Sequence, residues 1–187
     1  MNIILGITGS VAATLTEKIV RALFNYGHFV RIIATEKSLY FFDRQKLRNS
    51  TLVKVWSDKD DGGQQKYQKN DPVLHIEFAD WADALLICPL SANTLAKISN
   101  GQADNLLTCV ARAWDLNKPM VLAPAMNTKM WNHPITREQL NKLRNWYNIN
   151  IINPISKELA CGEKGIGALA DINDIVLALN HSLKLIN

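Results

Sequence analysis

The sequence predicts a doubly wound α/β fold, a parallel sheet with helices on both faces, and three observations carry that prediction. Short runs of aliphatic, β-branched residues alternate along the chain with stretches whose apolar residues recur at helical spacing. The short runs end at Gly, Ser, Asn or Pro, the residues that turn a chain from a strand into a helix. Strand, turn, helix and strand follow one another before residue 35, a βαβ unit that demands parallel strands joined by a right-handed crossover.

Residues 2–7 form the first strand and Thr8-Gly9-Ser10 the turn. A helical pattern then runs through Val11, Leu15, Ile19, Ala22 and Leu23 to the stop at Asn25-Tyr26-Gly27. Residues 28–34 read as the second strand. Downstream, residues 84–88 are an apolar strand ending at Pro89, and 94–99 a helical stretch closed by Asn100-Gly101. Residues 105–113 read as a helix, 120–123 as a strand ending at Pro124, and 135–146 as an amphipathic helix. Residues 149–152 make a further strand and 172–185 a closing helix. Alternation of this kind is that of Rossmann- or flavodoxin-like sheets. Two stretches fall outside the pattern. Residues 57–71 (SDKDDGGQQKYQKND) are polar and read as a flexible surface loop. Residues 153–170 hold Pro154, Cys161 and three glycines and read as irregular. Long loops within a domain are either disordered or functional.

With 187 residues, 48% of them hydrophobic, the chain can bury one substantial core, and residues 1–187 are read as one domain. The start MNIILGITGSVAA has no basic flank, and its apolar run breaks at Gly6, Thr8, Gly9 and Ser10, unlike a signal peptide. Every apolar run is cut by charge, Pro or Gly before it could span a bilayer. No membrane association is therefore expected, and the expected location is the cytoplasm. Cys88, Cys109 and Cys161 show no C-x-x-C pair and no His at ligand spacing, so neither a disulfide framework nor a metal site is indicated. The formal charge of +4 is scattered, with no basic cluster interleaved with aromatics, which argues against a nucleic-acid partner.

The chemistry-bearing residues gather at the strand ends. Gly6-x-x-Gly9-Ser10 joins the first strand to the first helix, where backbone N–H groups and the helix's positive end favour a phosphate. It is neither the G-x-G-x-x-G fingerprint nor a P-loop, and turning and capping alone would also explain it. Ser91-Ala92-Asn93-Thr94 follows another strand at the same sheet edge, the edge at which open α/β folds bind ligands. Thr35 and Ser38 would add hydroxyls there. His75 precedes a stretch that reads equally as helix or turn, and a lone His beside aliphatics is commonly a packing residue. Pro124-Ala125-Met126-Asn127, with Met130 and Trp131 behind it, is another strand-end segment whose Asn could bind a carboxylate or merely turn the chain. Cys161-Gly162, with Gly165 and Gly167, has the make-up of a mobile lid carrying a thiol, whereas Cys88 and Cys109 sit in apolar elements as inert core thiols.

Taken in order, these segments resemble the flavin-containing cysteine decarboxylases, most closely the eukaryotic branch acting on 4'-phosphopantothenoylcysteine. The resemblance runs through residues 6–12, 71–77, Trp81-Ala82-Asp83, 89–95, 104–108, 124–127 with Met130-Trp131, and Ala160-Cys161-Gly162 with Gly165 and Gly167-Ala168. It implies FMN bound between subunits of a homotrimer. Gly9, Ser10 and Val11 would hold it, with Thr35, Lys37 and Ser38, then Ser91, Ala92, Asn93 and Thr94, then Ala125. It further implies His75 as the active-site base, Asn127 with Ala160 and Ala168 as substrate contacts, and Cys161 as the acid on a flap at residues 153–170. The implied reaction in coenzyme A biosynthesis is redox-neutral. The substrate's cysteine is oxidised to a thioaldehyde, carbon dioxide leaves, and the enethiol is reduced to 4'-phosphopantetheine.

The chain departs from the family pattern at Ala79 and Asp80, where two arginines usually precede the Trp. It also departs at Lys37, where Ser is common, and at Leu169, where the flap usually has Met. Three rival readings stand beside this one: a phosphatase-inhibiting regulatory subunit, a flavin prenyltransferase and a peptide-cysteine decarboxylase. The first usually carries acidic or Ser-rich extensions and may lack the Cys or the Asn. The second would not be expected to pair Pro-Ala-Met-Asn with a Cys-Gly flap. The third is the nearest competitor.

Overall fold

In a computed structural model, which describes residues 1–60, 71–158, 162 and 164–185, the apolar runs assemble into one six-stranded parallel sheet. Its strands are β1 (Asn2–Ile7), β2 (Phe29–Ala34), β3 (Val55–Trp56), β4 (Ala84–Leu90), β5 (Met120–Pro124) and β6 (Ile149–Ile151). They lie in the order β3-β2-β1-β4-β5-β6. All five pairings are parallel. The chain therefore builds outward in one direction from β1, then returns and builds outward in the other from β4. That reversal opens a crevice above the carboxyl ends of β1 and β4.

Alternation along each strand sends its residues to two cores. Ile3, Leu5, Ile7, Leu86, Cys88, Val121 and Ala123 face α1 (Thr16–Asn25) and α8 (Ile172–Lys184), against Ile19, Val20, Leu23, Ile175 and Leu179. Ile4, Leu85, Ile87, Met120 and Leu122 face the other way, against Phe78, Leu95, Leu107, Val110, Leu140 and Leu143. Those partners belong to α3 (Leu74–Trp81), α4 (Ala92–Ser99), α5 (Leu106–Arg112) and α7 (Pro134–Arg144). With both faces covered, the central strands are buried throughout, which is why they read as unbroken apolar runs. Each Leu or Ile removed from water here contributes about 1.5–3 kcal/mol.

The helices begin where capping side chains sit. Asp43 accepts from the Gln45 and Lys46 amides at the start of α2 (Arg44–Thr51), and Asn105 forms a capping box with Thr108 at the start of α5. Asp171 caps α8, and Gly27 (φ 75°) and Gly101 (φ 71°) follow α1 and α4 in left-handed turns.

Several elements differ from the sequence reading. The first helical turn after Ser10, Val11–Leu15, is a 3₁₀ helix, and the α-helix proper starts at Thr16. Arg44–Thr51 has only Leu47 and Thr51 buried, so no apolar stripe announces α2, and β3 is two residues long. The stretch after His75 is helix α3. The start of the polar segment is anchored, not loose. Asp60 accepts from the Ser57 amide at 2.8 Å and pairs with Arg44 at 3.0 Å, while Asp58 accepts from the Leu106 amide at 2.8 Å. Residues 61–70 lie outside the described residues. The expected irregular stretch at 153–170 contains an antiparallel hairpin, β7 (Ile155–Glu158) with β8 (Lys164–Ala168). Its glycines hid the strands, and those glycines serve packing, as the site shows.

Candidate active site

The loops leaving β1 and β4 meet at the sheet's reversal point, and Thr8 ties them together. Its fully buried hydroxyl donates to the Pro89 carbonyl at 2.8 Å and accepts from the Ser91 amide at 2.7 Å. On the β1 side, Ser10 caps the 3₁₀ turn by accepting from the Ala12 amide at 3.4 Å. On the β4 side, Ser91 caps α4, accepting from the Thr94 amide at 3.3 Å and donating to the Thr94 hydroxyl at 3.3 Å. Two helical starts thus converge at one edge.

A cavity of about 600 Å³ lies over this edge, within the range of small-molecule and cofactor sites. One wall is Gly9, Ser10 and Val11 with Ser91, Ala92 and Asn93, all anticipated from the sequence. The floor is Ala125, Met126 and Asn127, from the loop after β5. Asn127 accepts from the Lys129 amide at 2.9 Å, capping the one-turn helix α6 (Thr128–Trp131). The far wall is the hairpin: Lys157 and Glu158 of β7, then Gly167, Ala168 and Leu169.

The hairpin is held to the floor by backbone. The Met126 amide donates to the Gly167 carbonyl at 3.0 Å. Gly167 has φ 147°, and a Cβ there would run into the Met126 carbonyl; a Cβ at Gly165 would run into the Thr128 hydroxyl. Close approach of β8 to the Pro-Ala-Met-Asn segment therefore requires glycine at both positions.

Other anticipated residues support the cavity from outside it. Thr94 is buried behind Ser91. Thr35, Lys37 and Ser38 lie at the end of β2 and do not line the cavity. Lys37 packs against its wall: a Cβ on Gly9 would stand 2.9 Å from Lys37 Cβ. Ser38 donates to the Thr35 carbonyl at 2.6 Å, while the buried Thr35 hydroxyl has no partner among the described residues. His75 sits half-buried at the start of α3, away from the lining of this cavity. Ala160 and Cys161 lie outside the described residues.

The sequence reading did not single out Thr14, Leu15, Phe41, Lys157 or Glu158 as lining residues. Thr14 and Leu15 follow Ser10 by one turn and were within reach of that motif. Phe41 comes from the segment after β2, which carries no local signal. Met126 and Met130 lay beside Asn127 in a segment already marked. Of the inert thiols, Cys88 is fully buried, and burial pushes its thiol pKa far up, so it stays protonated. Cys109 is half-exposed, its thiol donating to the Ala103 carbonyl at 3.3 Å.

The residues present fit a flavin mononucleotide. The Gly9-Ser10 turn and the α4 start offer amides and hydroxyls to a phosphate, and the apolar floor suits a flat ring system. The unpartnered Thr35 hydroxyl is a further polar group at this edge. Among the described residues no cluster of three or more His, Cys, Asp or Glu could hold a metal ion.

The flavoprotein family model matches residues 1–184. The phosphopantothenoylcysteine decarboxylase of Mus musculus is 44% identical over 176 residues, covering 94% of this chain and 83% of its own length. That of Oryza sativa subsp. japonica is 47% identical over 170 residues, covering 91% of this chain and 75% of its own. Among solved structures, a cysteine-to-serine mutant of PPC decarboxylase complexed with pantothenoylaminoethenethiol is similar at TM-score 0.88 and 41% identity, over 100% of this chain and 98% of that one. The FMN-binding protein AtHal3 is similar at TM-score 0.84 and 44% identity, over 96% of this chain and 95% of that one.

Proposed function

The chain belongs to the flavoprotein family, and on that premise we propose that it catalyses the FMN-dependent decarboxylation of 4'-phosphopantothenoylcysteine to 4'-phosphopantetheine in coenzyme A biosynthesis. The observation that carries this reading is the cavity at the β1–β4 reversal, lined by two capped helix starts, by Asn127 and by the glycine-packed hairpin. It is supported by the 44% and 47% identical decarboxylases and by a similar decarboxylase structure that holds an enethiol ligand.

Gly9, Ser10 and Val11 hold the cofactor from one loop and Ser91, Ala92 and Asn93 from the other. Ala125 lines the same cavity, Thr94 stands behind Ser91, and Lys37, in the same turn as Thr35 and Ser38, packs against Gly9. FMN, when bound, supplies a reversible two-electron exchange with the substrate's cysteine, so that carbon dioxide departs from a thioaldehyde and the enethiol left behind is reduced again. Asn127, which lines the cavity, orients the substrate's carboxylate with its side-chain amide, and Ala168 contacts the substrate from the hairpin; the resemblance assigns Ala160 the same role. Cys161 donates the proton that completes the reduction, and His75 is the base.

His75 stands off the cavity of its own chain, which supports a trimer in which His75 serves a neighbouring copy's cavity. Val73 (44% exposed) and Ile76 (42%) flank it, and Val11 (50%) and Met130 (48%) border the cavity. These are apolar groups that a second copy would cover. Among the described residues no helix is long and apolar enough to cross a membrane; we place the enzyme in the cytoplasm.

The test is the visible absorbance of the purified protein, followed by addition of 4'-phosphopantothenoylcysteine and measurement of carbon dioxide. A yellow protein that releases carbon dioxide is the expected result, with Cys161→Ser releasing it but failing to form 4'-phosphopantetheine. A colourless protein that cannot be reconstituted with FMN refutes the reading.

A further inference from the structure

Among the described residues lining the cavity, two carry charge, Lys157 and Glu158, consecutive on β7. The remaining lining residues are apolar or neutral. Neither member of the pair is neutralised by an ion pair: those among the described residues join Arg21 to Glu17, Arg44 to Asp60, Lys59 to Glu36 and Lys97 to Asp104. Register places Lys157 opposite Gly165 and Glu158 opposite Lys164, so the ammonium of Lys157 has no side chain facing it across the ladder. The hairpin is anchored to the floor through the Met126–Gly167 bond at 3.0 Å, which fixes β7 as the wall facing the two capped loops.

The proposed substrate is a long chain with reacting cysteine at one end and a phosphate ester of nearly two negative charges at the other. The capped loops and Asn127 take the cofactor and the reacting end. The other end needs a cation, and the lining of this cavity provides one ammonium. We propose that Lys157 reads the substrate's 4'-phosphate; Glu158, the next residue on β7, directs its side chain to the opposite face of the strand and pairs in register with Lys164. Lys157 sets preference for a phosphorylated over an unphosphorylated substrate. Lys157 acts on binding and not on the chemical step, so its effect falls on KM.

This inference rests on the decarboxylase reading, and the test separates the two. Steady-state kcat/KM is measured with 4'-phosphopantothenoylcysteine and with pantothenoylcysteine for wild type, Lys157→Gln, Lys157→Arg and Glu158→Gln. The ratio of the two values is expected to fall about tenfold in Lys157→Gln, the worth of one partly exposed charge-assisted contact. It should be retained in Lys157→Arg, stay within about twofold of wild type in Glu158→Gln, and respond less to added salt in Lys157→Gln than in wild type. A ratio in Lys157→Gln within about twofold of wild type overturns the inference alone, as does an equal loss on both substrates. No turnover of either substrate by wild type overturns the decarboxylase reading, and this inference with it.

Discussion

Thr8→Val is the sharpest test of how the two cofactor loops are held together. Valine keeps the shape and the β-branching of Thr8, and replaces only the hydroxyl, by a methyl. That hydroxyl is fully buried and satisfies two backbone groups, the Pro89 carbonyl at 2.8 Å and the Ser91 amide at 2.7 Å. Leaving a buried polar group unpaired costs about 1–3 kcal/mol, and partial relaxation of the loop recovers some of it. The expected loss is therefore about 2–4 kcal/mol, out of the roughly 5–15 kcal/mol that holds a domain folded. For a chain of this length that corresponds to a fall in Tm of about 5–12 °C. Because Ser91 is also the cap of α4 and lines the cavity, the substitution should weaken FMN binding as well, read by flavin fluorescence on titration. Thr8→Ser keeps the hydroxyl and should hold most of both. A Thr8→Val protein that melts within about 2 °C of wild type and binds FMN equally well would refute the reasoning, since two buried groups cannot lose their partner at no cost.

Two further outcomes follow from the same geometry. Gly167→Ala places a Cβ against the Met126 carbonyl at φ 147°, so the Met126–Gly167 bond must break. Strain and lost bond together cost about 2–4 kcal/mol, so Tm should fall by about 5–12 °C, as for Thr8→Val, and the Met126 amide, released by the hairpin, should exchange faster. Unaltered exchange would show that the hairpin tolerates the side chain. His28 is buried and bonded to Asn180 at 3.0 Å; burial, then the nearby N-terminal ammonium, holds its pKa below 6.5, partly opposed by Asn180. The unfolded chain therefore takes up the proton first. Stability is full above pH 6.5 and declines as pH falls through that value toward the lower folded pKa. His28→Gln should lose less Tm than wild type between about pH 7.5 and 5.5, and equal losses would exclude His28 as the cause.

Much of the fold was legible because strands buried on both faces leave unmistakable apolar runs. Residues 2–7, 84–88 and 120–123 were read within one or two residues of β1, β4 and β5. Of the residues that the strand-end turns or the resemblance picked out, Gly9, Ser10, Ser91, Ala92, Asn93, Ala125, Asn127 and Ala168 line the cavity, while Thr35, Lys37, Ser38, His75 and Thr94 do not. The misses share a cause, to which the glycines of β8 add. Short or one-sided elements such as α2, β3 and the β7–β8 hairpin bury too few side chains to leave a pattern.

The sequence by itself determined the alternation of strands and helices, the two capped turns and the resemblance that names a chemistry, since these are properties of local residue order. Only the tertiary structure decided that β1 and β4 are neighbours, so that Thr8 meets Ser91 across 83 residues. It alone put Lys157 and Glu158 in the cavity wall and left His75 outside it. Strand order and the docking of a hairpin depend on contacts between residues far apart in the chain, and no local pattern carries them.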